Sequence, residues 1–251
     1  MRKIFTLLVF SIFSFALNAQ NTYFKSISPA KSQFCPFKDS VNACQNLKAI
    51  FIYDNAKLLI NKGVPEFDKK VKTGQVVDVI GFSELGYKET EKQDTKLPYV
   101  KIKLDNQIFW TYSRNLFIFQ STKPATKVES QGIVYNFYLA RCPAYSENLF
   151  DNQIFSGIEL LIGENTKSNS FFLIKYDKYP KELSGHEIGI KYVYLQNDEM
   201  LAEKITGYST EKHFIVLKIK AAYQEKTANY QIIIFPTYNP VKANFSSISY
   251  E

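Results

Sequence analysis

The sequence predicts an all-β chain: a small barrel or pair of packed sheets, followed by an antiparallel β-sandwich. Three observations predict it. Apolar residues recur at every second position in several segments, as in Val100, Ile102 and Leu104, the period of a strand with one wet face. The aromatic content is biased, with 21 Phe and 17 Tyr against one Trp, and Phe and Tyr suit a pleated, half-buried surface. Turn residues break the apolar runs at short intervals, and a 3.6-residue period is nowhere sustained in the C-terminal half.

The chain opens with Arg2 and Lys3, then an uncharged apolar run over positions 4–17, then Asn18-Ala19-Gln20. This order is that of a secretory signal peptide, residues 1–19, cut after Ala19. At 14 residues the run is shorter than the ~20 needed to span a bilayer as a helix. No Cys adjoins the cut, which argues against a lipid anchor. The Ala-Gln ending resembles export signals of Bacteroidetes-type bacteria. The expected destination is the periplasm, the outer-membrane surface or the medium, with no transmembrane segment after signal removal.

Residues 20–48 read as an irregular lead-in, in which Asp39-Ser40 predict the start of one helical turn running through Asn46. From Ala49 the pattern changes. Strands are expected at Ala49–Tyr53, at Leu58–Ile60, at Gln75–Ile80 after Gly74, at Tyr99–Leu104 and at Ile108–Tyr112, with Leu116–Phe119 closing the set. Residues 83–98 are charged and polar and read as a loop. Asp105-Asn106 is a hairpin turn signal.

The segment 49–119 resembles the bacterial SH3-like domain. The residues that carry the resemblance are Asn61-Lys62-Gly63-Val64-Pro65, then Gly74-Gln75-Val76-Val77-Asp78-Val79-Ile80, then Tyr99-Val100-Lys101-Ile102-Lys103-Leu104, and finally Phe109-Trp110-Thr111-Tyr112-Ser113-Arg114-Asn115-Leu116. The last stands where the family carries Gly-Trp-Val and a polar turn ending in Leu. Three departures bear on the binding surface: no Arg precedes the Gly-Pro turn, Asn106 stands for the turn Gly, and Phe109 for the Gly before Trp. The resemblance implies an SH3-like barrel that binds peptide or wall-derived ligand.

Residues 120–131 are polar and read as a linker. The second unit, 132–251, has alternating segments at Ile133–Leu139, Ile188–Tyr194 and Ile215–Ile219, and denser runs at Ile158–Ile162, Phe171–Ile174 and Tyr230–Phe235 that suit central strands. Asp198–Ile205 reads as a short helix. Strands at this spacing predict an antiparallel sandwich.

Charge and chemistry narrow the function. Net charge is +7, or +5 without Arg2 and Lys3, and is carried mostly by lysines spaced along strands. A nucleic-acid groove would cluster them with arginines, and the remaining arginines are Arg114 and Arg141, so no nucleic-acid partner is expected. Three cysteines, Cys35, Cys44 and Cys142, allow three pairings in an oxidising compartment; Cys35–Cys44 is the favoured bridge, closing a short loop. No metal-ligand spacing and no phosphate loop is present, so no metal or cofactor is expected. Bacterial SH3-like domains are often carried beside cysteine amidases, and the resemblance therefore implies a rival reading: a peptidoglycan-acting cysteine hydrolase using Cys142, His186 and Asp198. Against it, Cys142 precedes Pro143, which has no N–H to offer an oxyanion. His213 reads as an edge side chain, and Glu159 as the solvent-facing position of its strand. A third reading is a structural subunit of an envelope assembly.

The aromatics are the stronger lead. Tyr99, Trp110 and Tyr112 fall on adjacent strands, with Arg114 just beyond. Exposed aromatics stack on sugars or grip extended peptides, and Arg supplies a fork for carboxylates. Trp110 doubles as a core candidate, which leaves Tyr112 and Arg114 as the surface contributors. The expected partner is peptidoglycan or an envelope protein.

Overall fold

A computed structural model describes residues 26–28, 45–60, 64–66, 69–87, 95–142, 145–146, 158–176, 193–196, 201–223 and 226–250. The signal peptide, the start of the helical turn at Asp39-Ser40 and the Cys35–Cys44 bridge lie outside the described residues.

Among the described residues, nineteen strands run in chain order: β1 Ser26–Ile27, β2 Leu47–Phe51, β3 Leu58–Ile60, β4 Val64–Glu66, β5 Val76–Tyr87, β6 Thr95–Leu104, β7 Gln107–Tyr112, β8 Leu116–Gln120, β9 Thr126–Ser130 and β10 Ile133–Arg141. They continue with β11 Tyr145–Ser146, β12 Ile158–Asn165, β13 Ser170–Leu173, β14 Lys175–Tyr176, β15 Tyr194–Gln196, β16 Leu201–Thr210, β17 Ile215–Tyr223, β18 Lys226–Phe235 and β19 Lys242–Tyr250. No α-helix occurs among the described residues, and one 3-10 turn, Ser113–Asn115, links β7 to β8. The fold is all-β, as the alternation and aromatic bias require.

These strands form two sheets. One runs β13-β12-β10-β8-β2-β5-β6-β7-β3-β4, with β1, β9, β11 and β15 attached beside this path; the other runs β14-β19-β18-β17-β16. In the N-terminal half the large sheet curls around one core. Alternate residues of several strands meet there, among them Ala49 and Phe51 of β2, Val77 and Val79 of β5, Val100 and Ile102 of β6, Phe109 of β7 and Ile118 of β8. Burying a large apolar side chain contributes about 1.5–3 kcal/mol. In the C-terminal half the two sheets face each other. Val128, Phe137 and Leu161 of one pack with Leu217, Ile219, Ile232 and Ile234 of the other.

The turns follow their residues. Asp105 and Asn106 both take positive φ, at 48° and 62°, the conformation of a tight two-residue hairpin turn and one that Asn and Asp tolerate. β6 and β7 pair directly across it, Leu104 opposite Gln107. Gly74 turns the chain into β5 at φ 85°, where a side chain would be strained.

Several expectations are corrected. Of residues 83–98, those described are strand and not loop: β5 runs on to Tyr87 and β6 begins at Thr95, because the two strands still pair there, with Tyr87 opposite Leu97. Thr126–Ser130, inside the polar segment that reads as a linker, is strand β9, paired with β10; its Val128 and Ser130 are buried, alternating with exposed Lys127 and Glu129. Leu201–Ile205 is the start of β16, not helix, and pairs residue by residue with β17. Leu47 and Lys48, at the end of the lead-in, already pair with β8. The Phe171–Phe172 end of its apolar run lies in β13, which ends the large sheet rather than sitting within it. The Phe172 ring fills the space over Gly163 where a Cβ would stand.

Candidate functional site

The two faces of the β6–β7 hairpin meet different surroundings. Val100, Ile102 and Phe109 enter the N-terminal core, so by strand alternation Tyr99, Lys101, Trp110 and Tyr112 project from the other side. Tyr99 and Tyr112 are register partners, and their rings lie 5.2 Å apart, tilted by 45°. The Arg114 guanidinium carbon lies 5.5 Å from the centre of the Tyr112 ring, inside the range of a cation–π contact. Three of the four sequence candidates therefore form one row: Tyr99, Tyr112, Arg114.

Trp110 is placed differently. It lies on the same outward side but is only 3% exposed, and Lys101, its register partner, sets Nζ 5.6 Å from its ring centre. It acts as packing beneath the face rather than as a contact residue. Alternation alone predicts a plain solvent-facing lysine at Lys101; its contact with Trp110 becomes visible only once the hairpin register is known.

The turn carrying Arg114 is held from several directions. Ser113 and Asn115 are buried on either side of the exposed Arg114. The Asn115 carbonyl accepts from Ile52 N at 3.1 Å. The Asn115 side-chain amide donates to Thr111 Oγ1 at 3.3 Å, and that hydroxyl donates to the Lys57 carbonyl at 2.9 Å. At the Ser113 carbonyl the Leu116 N–H donates, and the Cys142 thiol approaches at 3.6 Å. On the neighbouring strand Tyr99 N donates to Ser83 Oγ at 2.9 Å. A side chain on a clamped backbone loses less entropy when it binds. The row can stack against a sugar ring or an extended peptide, and Arg114 can fork a carboxylate.

The chemistry of the hydrolase reading is not assembled by the described residues. Cys142 is a half-buried thiol just past the end of β10, packed against the cluster that holds Phe119 and Tyr138, while His186 and Asp198 lie outside the described residues. Glu159 stands in β12 opposite Arg141 in register. His213 is exposed in the bend before β17. Among the described residues no group of His, Cys, Asp and Glu is placed to hold a metal ion, and no helix is long and apolar enough to cross a membrane.

No protein-family model matches the chain, and no curated protein or solved structure matches it.

Proposed function

We propose that the chain is an exported cell-envelope protein whose N-terminal, SH3-like half binds a peptide or wall-derived ligand through the outer face of β6 and β7. The observation that carries this reading is the row of Tyr99, Tyr112 and Arg114, two paired rings capped by a guanidinium on a turn anchored by buried neighbours. Peptidoglycan stem peptides supply what such a row takes: an extended backbone and carboxylates. The basic N-terminus followed by an uncharged apolar run supports export. The core that β2, β3, β5, β6, β7 and β8 share supports the barrel resemblance.

The test is binding of the chain, without residues 1–19, to isolated peptidoglycan. Tyr112→Ala and Arg114→Ala each lower affinity by about tenfold when the row is the contact surface. Neither residue belongs to the N-terminal core, so circular dichroism stays that of the native chain. Folded variants that bind as the native chain does would exclude this face. A native chain that ignores peptidoglycan but is captured by an envelope protein would replace the wall with a protein partner.

A further inference from the structure

The outer face of the small sheet has a feature that strand alternation alone would not produce. Leu217 and Ile219 of β17 and Tyr230 and Ile232 of β18 point into the sandwich core. Lys218, Asn229 and Gln231 therefore face outward, and Lys218 stands opposite Gln231 in register. A regular sheet would be a gently twisted surface here. Instead the pairing slips twice, on either side of this spot: between Ile205 and Gly207 where β16 meets β17, and between Asn229 and Gln231 where β18 meets β19. Bulges bend a strand, raise its twist and re-aim side chains. Two of them flanking one central pair leave a depression of about 410 Å³ lined by Thr206, Lys218, Asn229, Gln231 and Ser249, with Ile219 and Tyr230. That is within the range of small-molecule sites, roughly 300–1,000 Å³.

We propose that this depression is a second binding site, taking a polyhydroxylated ligand with one anionic group, such as an acidic sugar. The lining decides the class. Two amides and two hydroxyls offer donors and acceptors together. Vicinal sugar hydroxyls need both, whereas a phosphate is chiefly an acceptor and would leave the amide carbonyls of Asn229 and Gln231 short of donors. Thr206 Oγ1 donates to the Lys218 carbonyl at 3.3 Å, which leaves its lone pairs to receive a ligand hydroxyl. Lys218, exposed at the rim, is the lining's one charged side chain and sets the preference for a single negative charge. The depression lies on β16–β19, in the other sheet from the β6–β7 face, so it does not rest on the proposed function.

The test uses the full chain labelled with nitrogen-15 and titrated with glucuronic acid, glucose and inorganic phosphate. Glucuronic acid is expected to shift the amide signals of Thr206, Lys218, Gln231 and Ser249, with glucose moving the same signals at an affinity about fivefold lower, the scale of one exposed charge pair. In Lys218→Ala the two sugars bind alike. In Gln231→Ala both weaken by about fivefold, the loss of one hydrogen-bonded pair. Phosphate binding as tightly as glucuronic acid would overturn the proposal. So would sugar-induced shifts confined to other parts of the chain, no shifts at all, or a folded Gln231→Ala that binds as the native chain does.

Discussion

Ile118 of β8 stands in register opposite Arg141 of β10, and through this pairing the sheet of the N-terminal half runs on into the C-terminal half. A third core forms along the seam. Ile50, Ile52, Phe117 and Phe119 from one side pack together with Tyr138, Ala140, Leu160 and Ile162 from the other. Phe119 is fully buried, and its ring lies 5.0 Å from Tyr138 and 5.3 Å from Phe171. The two halves are therefore coupled by both backbone pairing and side-chain packing.

Phe119→Ala is expected to cost about 3–5 kcal/mol, the range for removing a buried Phe. The loss should appear in both halves at once. Equilibrium unfolding followed by Trp110 fluorescence and by hydrogen exchange of β17 and β18 should give one transition, shifted equally. Two separated transitions, with only one moved by the substitution, would contradict the coupling.

Tyr138 anchors the same seam through a polar contact. Its hydroxyl donates to Glu164 Oε2 at 2.6 Å, with the Ser121 carbonyl oxygen 3.1 Å away, and Asn136 donates to the same Glu164 oxygen at 2.8 Å. Burial, then the Glu164 hydrogen bond and charge, push the Tyr138 phenol well above its ordinary value of 10.0. Tyr138→Phe should destabilise the chain by about 1.5–3 kcal/mol at neutral pH, the scale of a hydrogen bond to a charged group. The sign with pH follows from the raised value. The contribution is fully present below pH 10.0 and is lost as pH rises through the folded-state value. In urea melts the gap between the two proteins should therefore narrow as pH climbs above 10.0; a gap that widens there would contradict the assignment.

Asp54 gives the opposite case. Its Oδ1 accepts from Thr73 N at 2.7 Å, and hydrogen bonds from Thr73 hold its carboxyl below the ordinary 3.8. The bond fixes the loop that delivers the Gly74 N–H to the Phe51 carbonyl, at 2.7 Å. A lowered carboxylate contributes stability above its unfolded value and loses it as pH falls through the folded one. Asp54→Ala should thus be less stable than the native chain at neutral pH, with the gap closing as pH drops below 3.8. Paired melts in neutral and acid buffer measure it, and a constant gap would leave the Thr73 contact without a role in stability.

How much of this was legible in the sequence depends on how local each cause is. The Asp105-Asn106 turn and the Val100–Leu104 alternation are local, and both stand where turn chemistry and period place them. The row of Tyr99, Tyr112 and Arg114 was legible as well, because a two-residue turn fixes which hairpin residues face each other. Thr126–Ser130 was not. Its polarity resembles a linker, and only pairing with β10 makes Val128 a core residue. Trp110 was legible as a core residue because a lone Trp is more often packed than displayed, and it is buried although alternation places it on the outward side. The depression around Lys218 and Gln231 depends on two bulges, and a bulge leaves no alternation signal beyond one skipped residue. The coupling of the halves through Ile118 and Arg141 rests on residues far apart in sequence, with no periodicity of its own.

The proposed function requires that the β6–β7 face, and not net charge, holds the wall. The most direct measurement sediments the chain, without residues 1–19, with purified peptidoglycan sacculi across a salt series, beside a variant carrying both Tyr112→Ala and Arg114→Ala. At about 1 M salt, charges are screened beyond about 3 Å. The native chain should stay with the sacculi there while the variant is released. Release of the native chain at modest salt, or equal retention of the two, would contradict binding by this face.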